Sequence, residues 1–231
     1  MKHLIIIFGF LAYGCNQSDK NIEQENKNKQ LKQDSITAVK VEQARLEKVR
    51  QDSIIAIEQD KVIGDIKFGM TKKDVKLKIE KFKKENRRPD KFLGEPHYDD
   101  FIGEYEYFQI LDYYYEGKLY GLNINGNLID WEKYDSEVPR QIKYITDVIS
   151  QKYGDPSLHY ELPPRYELQK GYSYLINRWN IGKKRIEIKV LDTGTRYPVN
   201  VEIFLPEVIE EIKKEREQQE QESVNKAKEV F

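Results

Sequence analysis

Alternating apolar and polar positions predict β-strands in the second half of the chain. Apolar residues occupy every second position from Ile186 to Val190, and residues 199–205 repeat this pattern. Residues 172–180 and 184–192 are predicted to form two strands on either side of a turn. A period of two gives a strand one apolar face. Strands of this kind typically form an antiparallel sheet that is covered on one side.

A helix with one apolar face is predicted after a short strand at residues 66–68. Thr71 is placed to cap this helix, and Asp74 three residues later completes the pattern of a capping box. The helix should end near Asn86, because Pro89 prevents its continuation. Its apolar positions recur at spacings of four and three, as Val75, Ile79 and Phe82.

A second helix is predicted from Asp135 or Ser136 to Tyr153. Pro139 falls in the first turn, where a backbone without an N–H group is tolerated. Gly154 is placed as the left-handed residue that ends the helix. The buried stripe of this helix is expected to comprise Ile142, Ile145, Val148, Ile149 and Tyr153.

Three Gly-containing dipeptides predict turns in the β region. Glu116-Gly117 and Asn125-Gly126 lie in the tyrosine-rich part of the chain, and the second is the stronger hairpin signal. Ile181-Gly182 separates the strands that follow the second helix. The order of strand, helix, hairpins, helix and strands therefore predicts an α+β fold, with an antiparallel sheet and two helices packed on one of its faces.

The two flanks of this folded region are polar. Residues 16–30 contain a single apolar residue, Ile22, and are expected to be disordered because they cannot bury enough surface. Good helix formers without Gly or Pro predict a helical spacer from about residue 31 to 60. Its apolar stripe is broken, so a coiled coil stays open as the alternative. Pro206 begins a charged helix that reaches the C-terminus and is expected to be solvated.

The N-terminus has the pattern of an export signal. Lys2 precedes an apolar run, residues 4–12, which is too short to cross a bilayer, and Gly14-Cys15 follows it. This arrangement resembles the signal peptide of bacterial lipoproteins. The resemblance implies that Cys15 becomes the mature N-terminus and carries acyl chains such as palmitate, and that Asn16 directs the protein to the outer membrane. An ordinary cleaved signal with an incidental cysteine is the alternative.

These signals divide the chain into four parts. The signal peptide covers residues 1–15, a polar tether residues 16–61, the α+β domain residues 62–205, and the charged helix residues 206–231. The tether would hold the domain away from the membrane. The predicted domain holds 24 basic and 23 acidic residues, which is an ordinary balance for a globular domain. The low apolar content of the whole chain therefore comes from its polar flanks.

Two short motifs of the predicted domain carry a resemblance to a known family. Phe68-Gly69-Met70-Thr71 leads from a strand into a helix, and Gly154-Asp155-Pro156 ends the second helix. Both motifs are similar to those of bacterial envelope lipoproteins of the SmpA/OmlA type and of the β-lactamase-inhibitor-protein-like fold. The resemblance implies a non-catalytic binding or assembly role in the cell envelope.

Composition excludes several other classes of protein. A net charge of −1 without a basic cluster argues against nucleic-acid binding. The single cysteine excludes an internal disulfide and a cysteine-based zinc site. Asp99 and Asp100 stand close to His97, and this segment is expected to form a surface loop rather than a metal or acid–base site. Glu104 and Glu106 would share a strand face, but carboxylate pairs arise by chance in a chain with 40 acidic residues. We therefore expect no catalytic site, no metal and no cofactor.

The tyrosines are the strongest candidates for binding. The chain has 16, and Tyr113-Tyr114-Tyr115 must place rings on both faces of one strand. Tyrosine is frequent at interfaces because it buries a large ring while its hydroxyl stays hydrated. The sequence thus predicts an envelope protein that binds a partner protein through Tyr107, Tyr113, Tyr115 and Tyr120. Alternatives are cross-strand packing of the same rings, or a carbohydrate-binding lipoprotein in which the rings stack on sugars.

Overall fold

The computed structural model describes residues 15–89 and 98–230. The chain divides into two compact units, one that ends at Asp52 and one that begins at Ser53. The described part of the first unit is entirely helical and belongs to α1, which extends over Cys15–Glu58. The second unit contains the sheet and all other helices.

Helix α1 begins earlier than the sequence predicted. The structure has helix in residues 16–30, where the polar composition predicted disorder. The physical reason is that none of its 44 residues is Gly or Pro, so nothing in the segment interrupts the helical backbone. From residue 29 to Asp52, none of the side chains that the structure describes is buried: the exposed fractions of Ile36, Val39, Leu46 and Val49 lie between 51% and 56%. The coiled-coil alternative stays a prediction.

The described residues of the second unit contain ten strands and three further α-helices. In chain order these are β1 (Lys61–Ile63), β2 (Ile66–Lys67), α2 (Lys72–Asn86), β3 (Arg87–Pro89), β4 (Tyr98–Ile102), β5 (Tyr105–Tyr115), β6 (Lys118–Gly126), α3 (Tyr134–Tyr153), β7 (Leu158–His159), β8 (Ser173–Ile181), β9 (Lys184–Leu191), β10 (Val199–Phe204) and α4 (Pro206–Val230). Strands β1 and β2 pair with each other. The remaining strands form one sheet in the order β3-β4-β5-β6-β10-β9-β8-β7, and all its pairings are antiparallel.

The core lies between one face of this sheet and the helices α2 and α3. Val75 of α2 and Val138 of α3 are fully buried in the same apolar cluster as Ile188 of β9. The register places Val201 opposite both Ile124 and Ile188, so the apolar faces of β6, β10 and β9 coincide. The predicted α+β fold, with an antiparallel sheet covered by two helices, is confirmed.

The ends of both core helices follow the predicted cap chemistry. The backbone N–H of Asp74 donates to Thr71 Oγ1 at 3.4 Å, and α2 ends at Asn86 as expected. Gly154 ends α3 with a φ of 82°, a conformation that favours glycine. Val148 departs from the predicted buried stripe of α3, because its side chain is 37% exposed.

The two turn signals of the tyrosine-rich region have different outcomes. Glu116-Gly117 forms the turn between β5 and β6, with φ of 49° and 75°. The hairpin predicted at Asn125-Gly126 is wrong, since both residues lie at the end of β6. Glycine is needed there for close approach of a neighbouring strand: a Cβ on Gly126 would overlap the carbonyl oxygen of Val199.

Candidate functional site

Three of the four predicted binding tyrosines lie around one end of the β5–β6 hairpin. Tyr113 and Tyr120 stand side by side, with 6.2 Å between their ring centroids. They line a shallow cavity of about 150 Å³ together with Phe204 and Ile209. Tyr113 is 40% exposed, and Tyr120 is half-buried. We call the cavity formed by Tyr113, Tyr120, Phe204 and Ile209 the tyrosine recess.

An irregularity in strand pairing brings the two rings together. Tyr113 pairs with Gly121, whereas the next residue, Tyr114, pairs with Leu119, so Tyr120 has no residue opposite it. Such a β-bulge turns the side chain of the extra residue out of the regular alternation. Leu119 and Leu122 are consequently both buried, although three positions separate them.

Gly121 provides space within the recess. A Cβ at this position would lie 3.3 Å from Cβ of Phe204 and 3.4 Å from the Tyr113 ring, closer than ordinary van der Waals contact. Burial and the neighbouring Tyr113 raise the pKa of Tyr120 above its ordinary value. The hydroxyl of Tyr120 therefore acts as a neutral hydrogen-bonding group at physiological pH.

Tyr115 connects the hairpin to the C-terminal helix. Its hydroxyl donates to Glu215 Oε1 of α4 at 2.5 Å, and this bond raises the pKa of Tyr115 to about 12. Arg216, one residue further along α4, faces Tyr120 closely enough to oppose the rise of that tyrosine's pKa. Helix α4 thus lines one side of the recess, while its residues from Lys213 to Lys228 are exposed as predicted.

Tyr107 does not belong to this surface. It is 1% exposed and lies in the core cluster with Tyr105, so its ring is unavailable to a partner in this fold. The reason is its register: Tyr107 pairs with Gly126, two positions from the core residue Ile124 of the same strand. Tyr114 likewise packs against the core, where its hydroxyl donates to Asp112 Oδ2 at 2.6 Å.

A row of alternating charges lies beside the recess, on the face of the sheet opposite α2 and α3. Glu187 Oε1 accepts from Arg178 at 2.7 Å, and Lys189 Nζ lies 2.8 Å from Glu187 and 2.6 Å from Glu202. Burial alone would lower the pKa of Lys189, but the bonds to the two carboxylates raise it instead. The row ends at Glu202, which also lines the recess.

A second and larger cavity lies at the β7 edge of the sheet, between α3 and β7. Its volume is about 490 Å³. The apolar part of its lining consists of Pro139, Ile142, Pro156, Leu162 and Ile176. Three polar side chains are bonded in a row at its wall: Asn177 Nδ2 donates to Thr146 Oγ1 at 2.7 Å, and Asn177 Oδ1 lies 2.7 Å from His159 Nδ1. Asn177 is only 1% exposed. We call this cavity the α3–β7 groove.

A buried lysine joins the end of α1 to the sheet. Lys184 is 1% exposed, and its Nζ donates to the carbonyl oxygens of Glu58 and Lys61, both at 2.9 Å. Nζ also lies 3.2 Å from the hydroxyl of Tyr153. Burial lowers the pKa of Lys184 to about 8. Because the ammonium donates to backbone carbonyls that end α1 and begin β1, it acts as a structural clasp and is closed to a substrate.

Glu58 forms the charged side of the same cluster. It accepts from Lys152 at 2.6 Å and from Lys61 at 2.9 Å. Burial alone would raise the pKa of Glu58, but the bonds from these two lysines lower it to about 2.

The candidate acid–base residues do not assemble into a described site. His97 lies outside the described residues, so its relation to Asp99 and Asp100 in β4 is not described. The expected shared strand face of Glu104 and Glu106 does not form, because Glu104 lies in the turn after β4, where Gly103 has a φ of 64°. Within residues 15–89 and 98–230, no group of three or more His, Cys, Asp or Glu side chains is arranged to hold a metal ion.

Sequence reasoning missed the α3–β7 groove and the Lys184 clasp, although both left a signal. Asn177 occupies the same alternating row of β8 as Trp179 and Ile181, which are core residues. Lys184 likewise stands two positions before Ile186, on the apolar face of β9. A polar residue in an apolar row indicates a buried hydrogen-bond partner from another element.

The N-terminal signal lies almost wholly outside the described residues. Cys15 is the first of them, and it is the first residue of α1. In the part of the chain that the structure describes, no helix is sufficiently long and apolar to cross a membrane. No protein-family model, curated protein or solved structure matches the chain. The fold and its surfaces therefore define the class of this protein as an α+β domain joined to a long polar helix.

Proposed function

We propose that this chain is a lipid-anchored envelope protein whose α+β domain binds a partner protein through the tyrosine recess. The observation that supports this proposal is the pairing of Tyr113 and Tyr120 around a cavity at the surface. Paired tyrosines beside an apolar recess offer a large contact area at a small entropic cost, which is why aromatic side chains dominate the energetic centres of interfaces. The role is non-catalytic binding or assembly, in line with the resemblance to envelope lipoproteins.

Charge complementarity favours a partner with a mixed polar rim. Glu202 lines the recess and Arg216 lies near it, so both signs of charge surround the apolar centre. Interfaces commonly have this arrangement, an apolar centre with a charged edge. The same proposal includes lipid attachment at Cys15 and localisation to the outer membrane. Both rest on the sequence pattern of residues 1–16.

Site-specific photo-crosslinking in intact cells tests the partner. A photoreactive phenylalanine analogue replaces Tyr113, and the matched control carries it at Tyr166, which is 85% exposed and distant in sequence. We expect Tyr113 to give one crosslinked envelope protein, identified by mass spectrometry, and Tyr166 to give none. The same product from both positions, or no product from Tyr113, would contradict the proposal.

Carbohydrate binding is the second candidate function. The observation in its favour is the 40% exposed ring of Tyr113 close to the carboxylate of Glu202, because sugars stack on ring faces and donate to carboxylates. NMR titration with soluble peptidoglycan fragments, using ring-labelled tyrosine, distinguishes the two functions. Shifts in the signals of Tyr113 and Tyr120, with the Tyr166 signal unchanged, would favour carbohydrate binding. The absence of shifts in all of these rings would contradict it.

A further inference from the structure

The α3–β7 groove has the dimensions and lining of a binding site. Its volume of about 490 Å³ falls within the range of pockets that hold small molecules or side chains of a partner. Apolar side chains from α3, β8 and residues 156–162 surround the space. The bonded row of Thr146, Asn177 and His159 fixes one wall, since the buried amide of Asn177 engages both neighbours.

The groove borders on a free strand edge. β7 is the terminal strand of the sheet, so only one of its sides is paired. Tyr160 N–H donates to Ile176 O at 2.8 Å, which directs the backbone groups of that residue towards β8. In an antiparallel pair, the backbone groups of adjacent residues point in opposite directions. The N–H and C=O of His159, which precedes Tyr160, therefore point away from the sheet. The close approach of the His159 and Asn177 side chains agrees with such a non-hydrogen-bonded pair.

We propose that the α3–β7 groove binds an extended peptide segment of another protein, whose backbone pairs with β7 at His159 and whose apolar side chain enters the groove. A peptide strand added at this edge alternates its side chains between the two faces of the sheet. Side chains on the helix-covered face are directed to the groove, because His159 and Asn177 lie on that face. Pro156 on one side and Pro163 on the other keep the edge short, so the side chain in the groove supplies much of the affinity.

The charge at the rim selects a basic residue in the peptide. Lys143 and Asp147 neutralise each other at 2.5 Å. Glu161 is exposed, lines the groove and has no ion-pair partner among residues 15–89 and 98–230. It stands two positions after His159, and both residues line the groove. A Lys or Arg two positions from the apolar residue of the peptide would meet this carboxylate.

This site is separate from the tyrosine recess and does not depend on the function proposed for it. The recess involves β5, β6, β10 and α4, whereas the groove involves α3, β7 and β8. A variant that abolishes crosslinking at Tyr113 should leave peptide binding at β7 unchanged, so the two proposals can fail independently.

Fluorescence anisotropy with designed peptides tests the proposal on the full chain. The probe is a fluorescein-labelled, eight-residue peptide of Ser and Thr with Leu at its fourth position and Lys at its second and sixth. One matched peptide has Ser at the fourth position, and another has Glu at the second and sixth. We expect the Leu/Lys peptide to bind most tightly and the loss of Leu to weaken binding about tenfold or more.

A charge reversal in the protein provides the decisive comparison. Glu161→Lys should weaken binding of the Lys peptide and strengthen binding of the Glu peptide, each by roughly threefold in affinity. Glu220→Lys is the matched control, because Glu220 is an equally exposed residue of α4, and both affinities should stay unchanged. An unaltered charge preference in Glu161→Lys overturns the proposal, as does equal binding of the Leu and Ser peptides or no binding of any peptide.

Amide exchange separates strand pairing from simple occupation of the groove. The Leu/Lys peptide should slow hydrogen exchange of the His159 amide and shift the methyl signals of Ile142 and Ile176. Methyl shifts with an unprotected His159 amide would mean that the groove takes an apolar side chain without a paired backbone, and this result overturns the proposal.

Discussion

The ion pairs of Glu58 make a quantitative prediction about the junction between α1 and the sheet. Glu58 is 9% exposed and receives bonds from Lys61 and Lys152, which come from β1 and α3. Glu58→Gln keeps the shape of the side chain and its capacity to accept hydrogen bonds but removes its charge. The substitution therefore measures what the charge contributes to folding.

The magnitude follows from the shift in pKa. The pKa of Glu58 falls from 4.5 to about 2 in the folded chain, and a difference of this size corresponds to about 3 kcal/mol of unfolding free energy. The two lysines are 38% and 52% exposed, so solvent and salt screen the interaction. We therefore expect Glu58→Gln to lose about 2 kcal/mol at pH 7.

The sign of the pH dependence is fixed by the direction of the shift. The folded carboxyl binds its proton more weakly than the unfolded one, so the stabilisation is complete above pH 4.5 and disappears as the pH falls towards 2. Urea unfolding of both proteins at pH 7, 5, 4 and 3 measures the difference between their unfolding free energies. That difference should stay constant down to pH 5 and shrink steadily below it.

An exposed ion pair serves as the control for this measurement. Glu210 pairs with Lys213 on α4, where both side chains are about 60% exposed. Glu210→Gln should leave the unfolding free energy unchanged within experimental error at any pH, because solvent and salt screen this exposed pair. If Glu58→Gln lost as little as this control, or if its deficit did not depend on pH, the ion pairs of Glu58 would not stabilise the junction.

Four further substitutions test the clasp and the close packing of the sheet. Because the pKa of Lys184 is about 8 in the folded chain against 10.5 in the unfolded one, the unfolded state binds more protons between these values. Urea unfolding at pH 7, 9 and 10.5 should therefore show that the unfolding free energy of the wild type rises by roughly 2 kcal/mol relative to that of Lys184→Met as the pH increases. Tyr105→Phe removes a buried hydroxyl that donates to two backbone carbonyls, and it should cost about 1–3 kcal/mol in urea unfolding at pH 7. Gly126→Ala forces a Cβ against the backbone of Val199 and should lower Tm by more than Gly121→Ala, whose Cβ meets only side chains at close range.

The fold could be predicted from the sequence where local rules and burial agree. The helix that begins after Thr71 and the one that ends at Gly154 have caps and apolar stripes that point to the same boundaries. The apolar face of strand β9 can be read from the sequence, because every second residue from Ile186 to Val190 is apolar. These elements need no knowledge of their neighbours, because cap and stripe lie within a few residues of each other.

The missed features depend on contacts between distant segments. Asn125-Gly126 has the composition of a hairpin turn, but the close approach of Val199, more than seventy residues away, requires a glycine in a strand there. Tyr107 was predicted to bind a partner because it lies in a tyrosine-rich segment, yet pairing between β5 and β6 turns it into the core. Strand register decides both outcomes, and register is a property of two segments.

Polar residues in apolar rows reveal such long-range contacts more directly than any motif in this chain. Lys184 and Asn177 each occupy a core-facing position of a strand, where an unpaired polar group would cost several kcal/mol, on the order of the desolvation of its donors. Each must therefore meet partners supplied from outside its own strand. Lys184 meets the last residue of α1, and Asn177 meets Thr146 of α3 and His159 of β7. The first contact joins the end of α1 to the sheet, and the second forms the wall of the α3–β7 groove. The two residues that break the strand pattern thus mark where the sheet is joined to other elements, and the junction at Asn177 borders the α3–β7 groove.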